Sequence, residues 1–586
     1  MKAQTFMLWK RSGGYGDALA AIGLARLLYV LTGQNPLVRE EPGAFAVVLP
    51  EPVDLDALDY GRLRHNPGYR YVRLKADDDQ APESDFLDYE KERARYVAWR
   101  DLRKKARAGR ALSDEERRQL EAAQPRSDWG LWQSLNVLQA LGTYNKLHAA
   151  IRDAHPQELV EAVKAKLAAM AQGMPVWTVD TAFSPVVSAV QAFNPTVGKG
   201  INRPKPDGAP VANLPKTYAD WFEEYLRYLG VEAGLCAYGL GEDYKFLAVV
   251  PGRVDAAVLE QVLIREFRAL SQRFRYGSIL LDIQSALELA KLLLHHVEAG
   301  DWTPRDVIRG VQAAYFKSLG SGRALMNLSF IGLPGWFPVR TADDVEAWMN
   351  LLEEHLRLVR ALDEEKAEEA ELLEAYRDFV SGGDWRALLL FFAGYGMTLF
   401  RARERAAQRA ASMPSPKQSL LEVLVVKGYP HYAKIVRNPG FQAIAKAMRL
   451  ATVAEQYHKA RGQQVFAIHY DLFQKLKQHA RFPEQLLAIV MDFVAEYNRE
   501  NARREEQLAR KGQGGRRRPN ITTGEVEQFV ALFDAHRQHS EALALLLIAY
   551  ASSREDRTAE GEAAVEAATG EAADDADVYT VPIDEA

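Results

Sequence analysis

The chain has 586 residues, 48% of them hydrophobic and 10% aromatic, enough for three or four domains with a substantial core. One cysteine, Cys236, excludes a disulfide framework and a cysteine-rich zinc site and suits a reducing, cytoplasmic setting. The net charge of −5 hides an asymmetry: Glu555–Ala586 holds eleven acids and one Arg, whereas Lys427–Arg518 holds eighteen Lys/Arg against eight Asp/Glu. A basic body with an acidic, Ala/Gly-rich tail points to a polyanion partner and predicts a disordered end from 555 to 586.

The opening MKAQTFMLWKRSGG lacks the apolar core of a signal peptide. No uncharged run reaches the roughly 18 residues that span a bilayer, so no membrane partner is expected. TFMLWKR (5–11) reads as a strand. A glycine turn, a cap at Asp17 and an apolar helix ending at Gly33 follow. The glycines at 13, 14 and 16 do not fit G-x-G-x-x-G, so the turn reads as a means of close helix packing rather than as a nucleotide site. FAVVLP (45–50) and YRYVRLKA (69–76) read as strands.

Residues 77–128 are strongly charged at helical spacing, with Ser113 and Glu116 forming a capping box. This is either a solvated helical hairpin or, through Arg103, Lys104, Lys105, Arg107 and Arg110, a phosphate-touching one. Residues 129–148 are aromatic-rich and predict a core helix, and two helical segments follow to Ala171.

Asn194–Lys216, NPTVGKGINRPKPDGAPVANLPK, is too rich in proline and glycine for regular structure. It sets Lys199, Arg203, Lys205 and Lys216 against Asp207 alone. It is either a solvated connector or a loop offering cations, amides and open backbone to an anion, most simply nucleic acid. An amphipathic helix (218–229), two strands around a Gly/Glu/Asp turn and two more helices complete a mixed α/β region to about residue 335.

From Ala342 the pattern is helical, broken by MPSP at 413–416, with helices expected around 418–426, 439–460, 468–480, 483–503 and 523–551. The fold class is therefore α+β, a mixed N-terminal body followed by a helical bundle. The expected domains are 1–190, 191–340 and 341–554, with the tail beyond.

Signals for catalysis are poor. H-E-x-x-H, G-x-S-x-G and a Walker loop are all absent from the sequence. His295, His296 and Glu298 give at most two ligands from one helix end, so no metal or cofactor is expected. Signals for nucleic acid are more numerous. Lys434, Arg437, Lys446, Arg449, Lys459 and Arg461 are interleaved with Tyr429, Tyr432 and Tyr457, and Lys475 and Lys477 follow. Cations bind phosphates, and tyrosines can stack on unpaired bases. ARKGQGGRRRPN (509–520) reads as a mobile basic loop between helices, either a polybasic tether or a specific site.

RNPGFQAIAKAMRLATV, YDLFQKLKQHARFPEQLLAIVMDFVAEYNRENAR and RRRPNITTGEVEQFVALFD together resemble the closing helical region of large subunits of type I CRISPR surveillance complexes (Cascade). GYGDALAAIGLARLL is similar to that family's opening. The resemblance implies a non-catalytic subunit that reads the protospacer-adjacent motif in duplex DNA, aids unwinding and R-loop formation, and recruits the helicase-nuclease. Its implied partners are the crRNA, target double-stranded DNA, and the backbone and small subunits. The helical region could also be made separately, as a small subunit starting at Met349, Met397 or Met413. The family has no transferable signature, so motif-reading candidates rest on chemistry: Asn194, Lys199, Asn202, Arg203, Lys205 and Lys216. Backbone-contact candidates are Lys434, Arg437, Lys446, Arg449, Lys459, Lys475 and Lys477. The rival readings are a stand-alone nucleic-acid-binding scaffold and a metal-dependent nuclease built on Asp282 and Glu288.

Overall fold

The computed structural model describes all residues except 12, 65, 67, 84–85, 108–111, 189, 191, 194–218, 241, 272–276, 321, 406–412, 513–514 and 556–586. It opens with β1 (Lys2–Trp9), α1 (Tyr15–Thr32), β2 (Leu37–Glu41) and β3 (Ala44–Asp54). β1 begins earlier than its alternation predicts, and the terminal ammonium beside it pairs with Asp54 at 2.9 Å and Asp56 at 2.5 Å. α1 starts two residues before Asp17, whose carboxylate takes the Gly13 N–H at 2.8 Å. It stops where expected, at Gly33, whose φ of 71° lets its N–H turn back to the Tyr29 carbonyl.

A two-strand parallel pair, β4 (Tyr71–Arg73) with β5 (Phe86–Asp88), leads into α2 (Tyr89–Arg107) and α3 (Asp114–Ala122). The Ser113–Glu116 capping box is present in full. α4 (Trp129–Val137) buries Trp129, Trp132 and Leu135, as the aromatic pattern predicts. α5 (Ala140–Asp153) and α6 (Pro156–Ala171) follow.

α7 (Trp221–Gly234) crosses α1 at very short range. A Cβ on Gly23 would stand 1.8 Å from the Leu226 carbonyl oxygen, and one on Gly230 would stand 1.9 Å from that of Leu19. Only glycine at both positions lets the two backbones meet.

β6 (Leu235–Leu240), β7 (Asp243–Pro251) and β8 (Arg253–Asp255) come next. β8 adds to β2, giving an antiparallel sheet of order β1-β3-β2-β8. The first sheet and the core therefore run across residue 190, the expected domain boundary. α8 runs from Ala256 to Ser271 and includes a π-helical stretch at Glu260–Phe267. α9 (Ser278–His296) precedes a long hairpin, β9 (Ile308–Leu319) and β10 (Gly322–Gly332), that completes a second sheet of order β10-β9-β7-β6. The sequence reading overlooked this hairpin. The one local signal was Gly320, which takes φ 71° at the turn.

The helical region comprises α10 (Ala342–Arg360), α11 (Ala367–Gly382), α12 (Trp385–Glu404), α13 (Gln418–Gly428), α14 (Pro439–Ala451), α15 (Val453–Ala460), α16 (Leu472–His479), α17 (Pro483–Lys511), α18 (Thr523–Ala535) and α19 (Ser540–Ser552). The expected helix 439–460 is broken at Thr452 and the expected helix 523–551 is broken around 536–539. α19 is the central helix, buried continuously from Leu543 to Ser552. Glu364 joins this region to the α/β body. Its carboxylate accepts the N–H groups of Ser278, Ile279 and Leu280 at 2.6–3.0 Å, capping α9 from a distant loop. The class is thus α+β in the expected order. Among the described residues one helix, Tyr15–Thr32, is long and apolar enough to cross a membrane, and 78% of it is buried inside the protein.

Candidate nucleic-acid interface

The six motif-reading candidates Asn194, Lys199, Asn202, Arg203, Lys205 and Lys216 lie outside the described residues. The flanks of their segment are anchored. Ala192 accepts a hydrogen bond from the Tyr15 hydroxyl, and the Phe193 ring meets Tyr228 edge-on at 4.9 Å. Asp220 caps α7 through the N–H groups of Phe222 and Glu223 and pairs with buried Lys166 at 2.8 Å. Both flanks therefore end beside the N-terminal turns of α1 and α7.

A buried charge network occupies the same place. Arg227, 1% exposed, pairs with Glu224 at 2.6 Å and lies 3.8–3.9 Å from Glu223 and Asp17. Arg11 reaches Glu223 at 2.9 Å. Burial pushes the Glu224 carboxyl up to about 7, with Arg227 opposing, and burial also raises Glu223. Every member is tied to another, which fits a structural tie between the two crossing helices.

The seven backbone candidates separate into two groups. Lys434, Arg437, Lys446 and Lys477 are exposed and have no acidic partner among the described residues. Gln442 and Lys446, four residues apart, lie on the outward stripe of α14, with Arg437 and Lys434 just before its first turn. Lys475 is exposed but held by Asp471 at 2.6 Å, and Lys459 is held by Glu404 at 2.8 Å. Arg449 corrects the expectation. It is only 9% exposed and pairs with Glu555, hydrogen-bonds Gln418, and forms part of a cleft floor where the chain leaves α19. The apolar face of α14 turns this position inward, so Arg449 is an anchor rather than a strand contact.

The basic loop 509–520 is corrected likewise. Arg518 is 6% exposed, sandwiched between Phe466 at 3.7 Å and Tyr497 at 4.4 Å, and paired with Glu500 at 2.8 Å. Arg516 pairs with the fully buried Glu455. Lys511 and Arg517 remain exposed. These arginines fasten the segment against the bundle instead of leaving it a free tether.

The tyrosines also divide. Tyr429 and Tyr432 are half-buried against Trp385, with ring centroids at 4.4 and 5.1 Å. Tyr457 is 37% exposed, and Tyr470, which the sequence reading did not single out, is 45% exposed. In the charged hairpin Lys105 pairs with Glu116 at 3.5 Å and Arg103 lies over Trp99 at 4.8 Å, while Arg110 is outside the described residues.

The residues of the nuclease reading are committed elsewhere. Asp282 is 2% exposed and paired with buried Lys245 at 2.5 Å, with burial raising its carboxyl. Glu288 pairs with Arg360 at 2.7 Å. His296 pairs with Glu266 at 2.7 Å. His469, Glu496 and Glu500 have ligand atoms within 4.8 Å of one another. Yet the two imidazole nitrogens face different carboxylates, Nδ1 at 4.0 Å from Glu496 and Nε2 at 3.6 Å from Glu500, and Glu500 already serves Arg518. That arrangement ties the 468–471 loop to α17. No protein-family model and no curated protein matches this sequence.

Proposed function

We propose that the protein is the non-catalytic large subunit of a crRNA-guided DNA surveillance complex of the type I CRISPR class. In this role the helical region holds nucleic-acid backbone, and the 194–216 loop, by its chemistry, reads the protospacer-adjacent motif in the duplex. The carrying observation is the sorting of the cations. Lys434, Arg437, Lys446 and Lys477 face outward without an acidic partner among the described residues, whereas Arg449, Arg516 and Arg518 are used internally. Unpaired outward cations are what counterion release from a phosphate polymer requires. The carboxylates that a nuclease reading would use, Asp282 and Glu288, are held by Lys245 and Arg360. The resemblance of the 437–453, 470–503 and 516–534 segments to the Cascade large subunits supplies the class, in which guide pairing reads sequence and protein reads shape and a short motif.

The test is purification of the tagged full chain from cells that encode it. The expected result is a ribonucleoprotein holding one discrete, repeat-derived RNA and several other subunits. Recovery of the chain free of RNA and partners, together with stable binding to duplex of any sequence, would replace this reading with a stand-alone DNA-binding protein.

A further inference from the structure

We propose that Tyr457 and Tyr470, with Arg403, Lys459 and Arg461, form a stacking platform for unpaired bases, so that this face takes single-stranded nucleic acid. The inference rests on the function proposed above and specifies what one face of the helical region holds.

The geometry comes from three elements that meet only in the fold. Arg403 ends α12, Tyr457 and Lys459 lie on α15 with Arg461 just beyond it, and Tyr470 precedes α16. The guanidinium carbons of Arg403 and Arg461 stand 5.4 and 5.3 Å from the centre of the Tyr457 ring. Lys459 Nζ stands 5.5 Å from the Tyr470 ring centre and 3.0 Å from its hydroxyl. Phe400 packs against Tyr470 at a tilt, ring centroids 5.8 Å apart, and Arg403 donates to the Ser415 hydroxyl at 2.8 Å. The rings are therefore fixed before any ligand arrives, which lowers the entropy cost of binding. They are not sealed: Tyr457 keeps 37% and Tyr470 45% of its surface open, in contrast to the buried Tyr395, Tyr497 and Tyr550.

The occupant follows from the chemistry. Arg461 and Arg403 at the Tyr457 ring and Lys459 at the Tyr470 ring line this face with positive charge, which favours an anion. Two open rings add nothing for a carboxylate but offer π faces to bases, and guanidinium planes stack on bases too. A duplex hides those base faces, so the ligand is a strand with its bases unpaired.

The test measures full-length protein by fluorescence anisotropy against three labelled probes of equal length: oligothymidylate, an abasic phosphodiester and a blunt duplex. The expected result is oligothymidylate binding about 10-fold or more tighter than the abasic strand. Tyr457→Ala with Tyr470→Ala should erase that gap and leave abasic and duplex binding unchanged, while Tyr→Phe at both positions keeps it. Equal binding of oligothymidylate and abasic strand by the unaltered protein, or a gap that survives the double alanine variant, overturns the platform and leaves the phosphate-binding role standing. Polyglutamate that competes fully with oligothymidylate, and binds more weakly to the alanine variant, would assign the face to an acidic peptide instead. Failure of all three probes to bind removes the platform together with the reading beneath it.

Discussion

Neutralising the free cations Lys434, Arg437 and Lys446 to Gln should change the salt dependence of binding by a calculable amount. All three are exposed and have no acidic partner among the described residues, so the substitutions remove no internal pair there. Each phosphate contact contributes ~0.9 to the slope of log K against log salt on duplex DNA, so three contacts contribute about 2.7. Fourfold more salt, from about 50 to 200 mM, then costs the unaltered protein roughly 40-fold more affinity than it costs the variant. The assay is a titration of two unrelated duplexes at four salt concentrations, with Lys475→Gln as a control because Lys475 is already paired with Asp471 at 2.6 Å. The triple variant should show the shallower slope equally on both sequences, and the control should shift it little. A slope within about 0.5 of the unaltered value, or a change confined to one sequence, would refute the assignment of these residues to phosphate.

Further outcomes are expected elsewhere. Lys199→Ala with Arg203→Ala should weaken binding to motif-containing duplex without affecting guide-RNA association, and unchanged duplex binding at physiological salt would reject that loop as the reader. Gly23→Ala places a methyl 1.8 Å from a backbone carbonyl that cannot rotate away, so a loss above about 3 kcal/mol is expected in urea melts; a loss below about 1 kcal/mol would mean the helices do not cross there. Glu224 titrates at about 7 when folded against a usual 4.5, so between those values the folded state holds a proton that the unfolded state has released. Stability should therefore fall as pH rises through that window, by up to ~1.4 kcal/mol per unit, and Glu224→Gln should flatten the trend. Identical pH profiles for the two proteins would exclude Glu224 as its source. Asp282→Ala leaves Lys245 buried without its acid and should cost about 3–5 kcal/mol; metal-dependent cleavage that this variant abolishes while its melting point holds would restore the nuclease reading.

Local signals were legible where local chemistry decides the outcome. Gly33 ends α1 because the left-handed turn needs glycine, and Ser113–Glu116 closes its box within one helical turn. The 308–332 hairpin was overlooked because β9 is buried along most of its length and its apolar run resembles a helix. Helix breaks at 452 and 536–539 carry no proline or glycine signal, and tertiary packing sets them. Gly23 and Gly230 lie 207 positions apart and show their role only once their helices meet.

The interface was less legible than the fold for a related reason. A cation's availability depends on whether an acid reaches it, and the acids that matter here come from far along the chain: Glu555 for Arg449, Glu455 for Arg516, Glu404 for Lys459. Periodicity groups Lys446 with Arg449, because residues three apart share a helix face, and only the packing of α14 leaves one outward and turns the other inward. It cannot foresee a guanidinium clamped between Phe466 and Tyr497, since those rings arrive from other segments. The density of positive charge between 427 and 518 thus overstates the binding surface. Part of it holds the bundle together, and only the remainder is free to meet a phosphate.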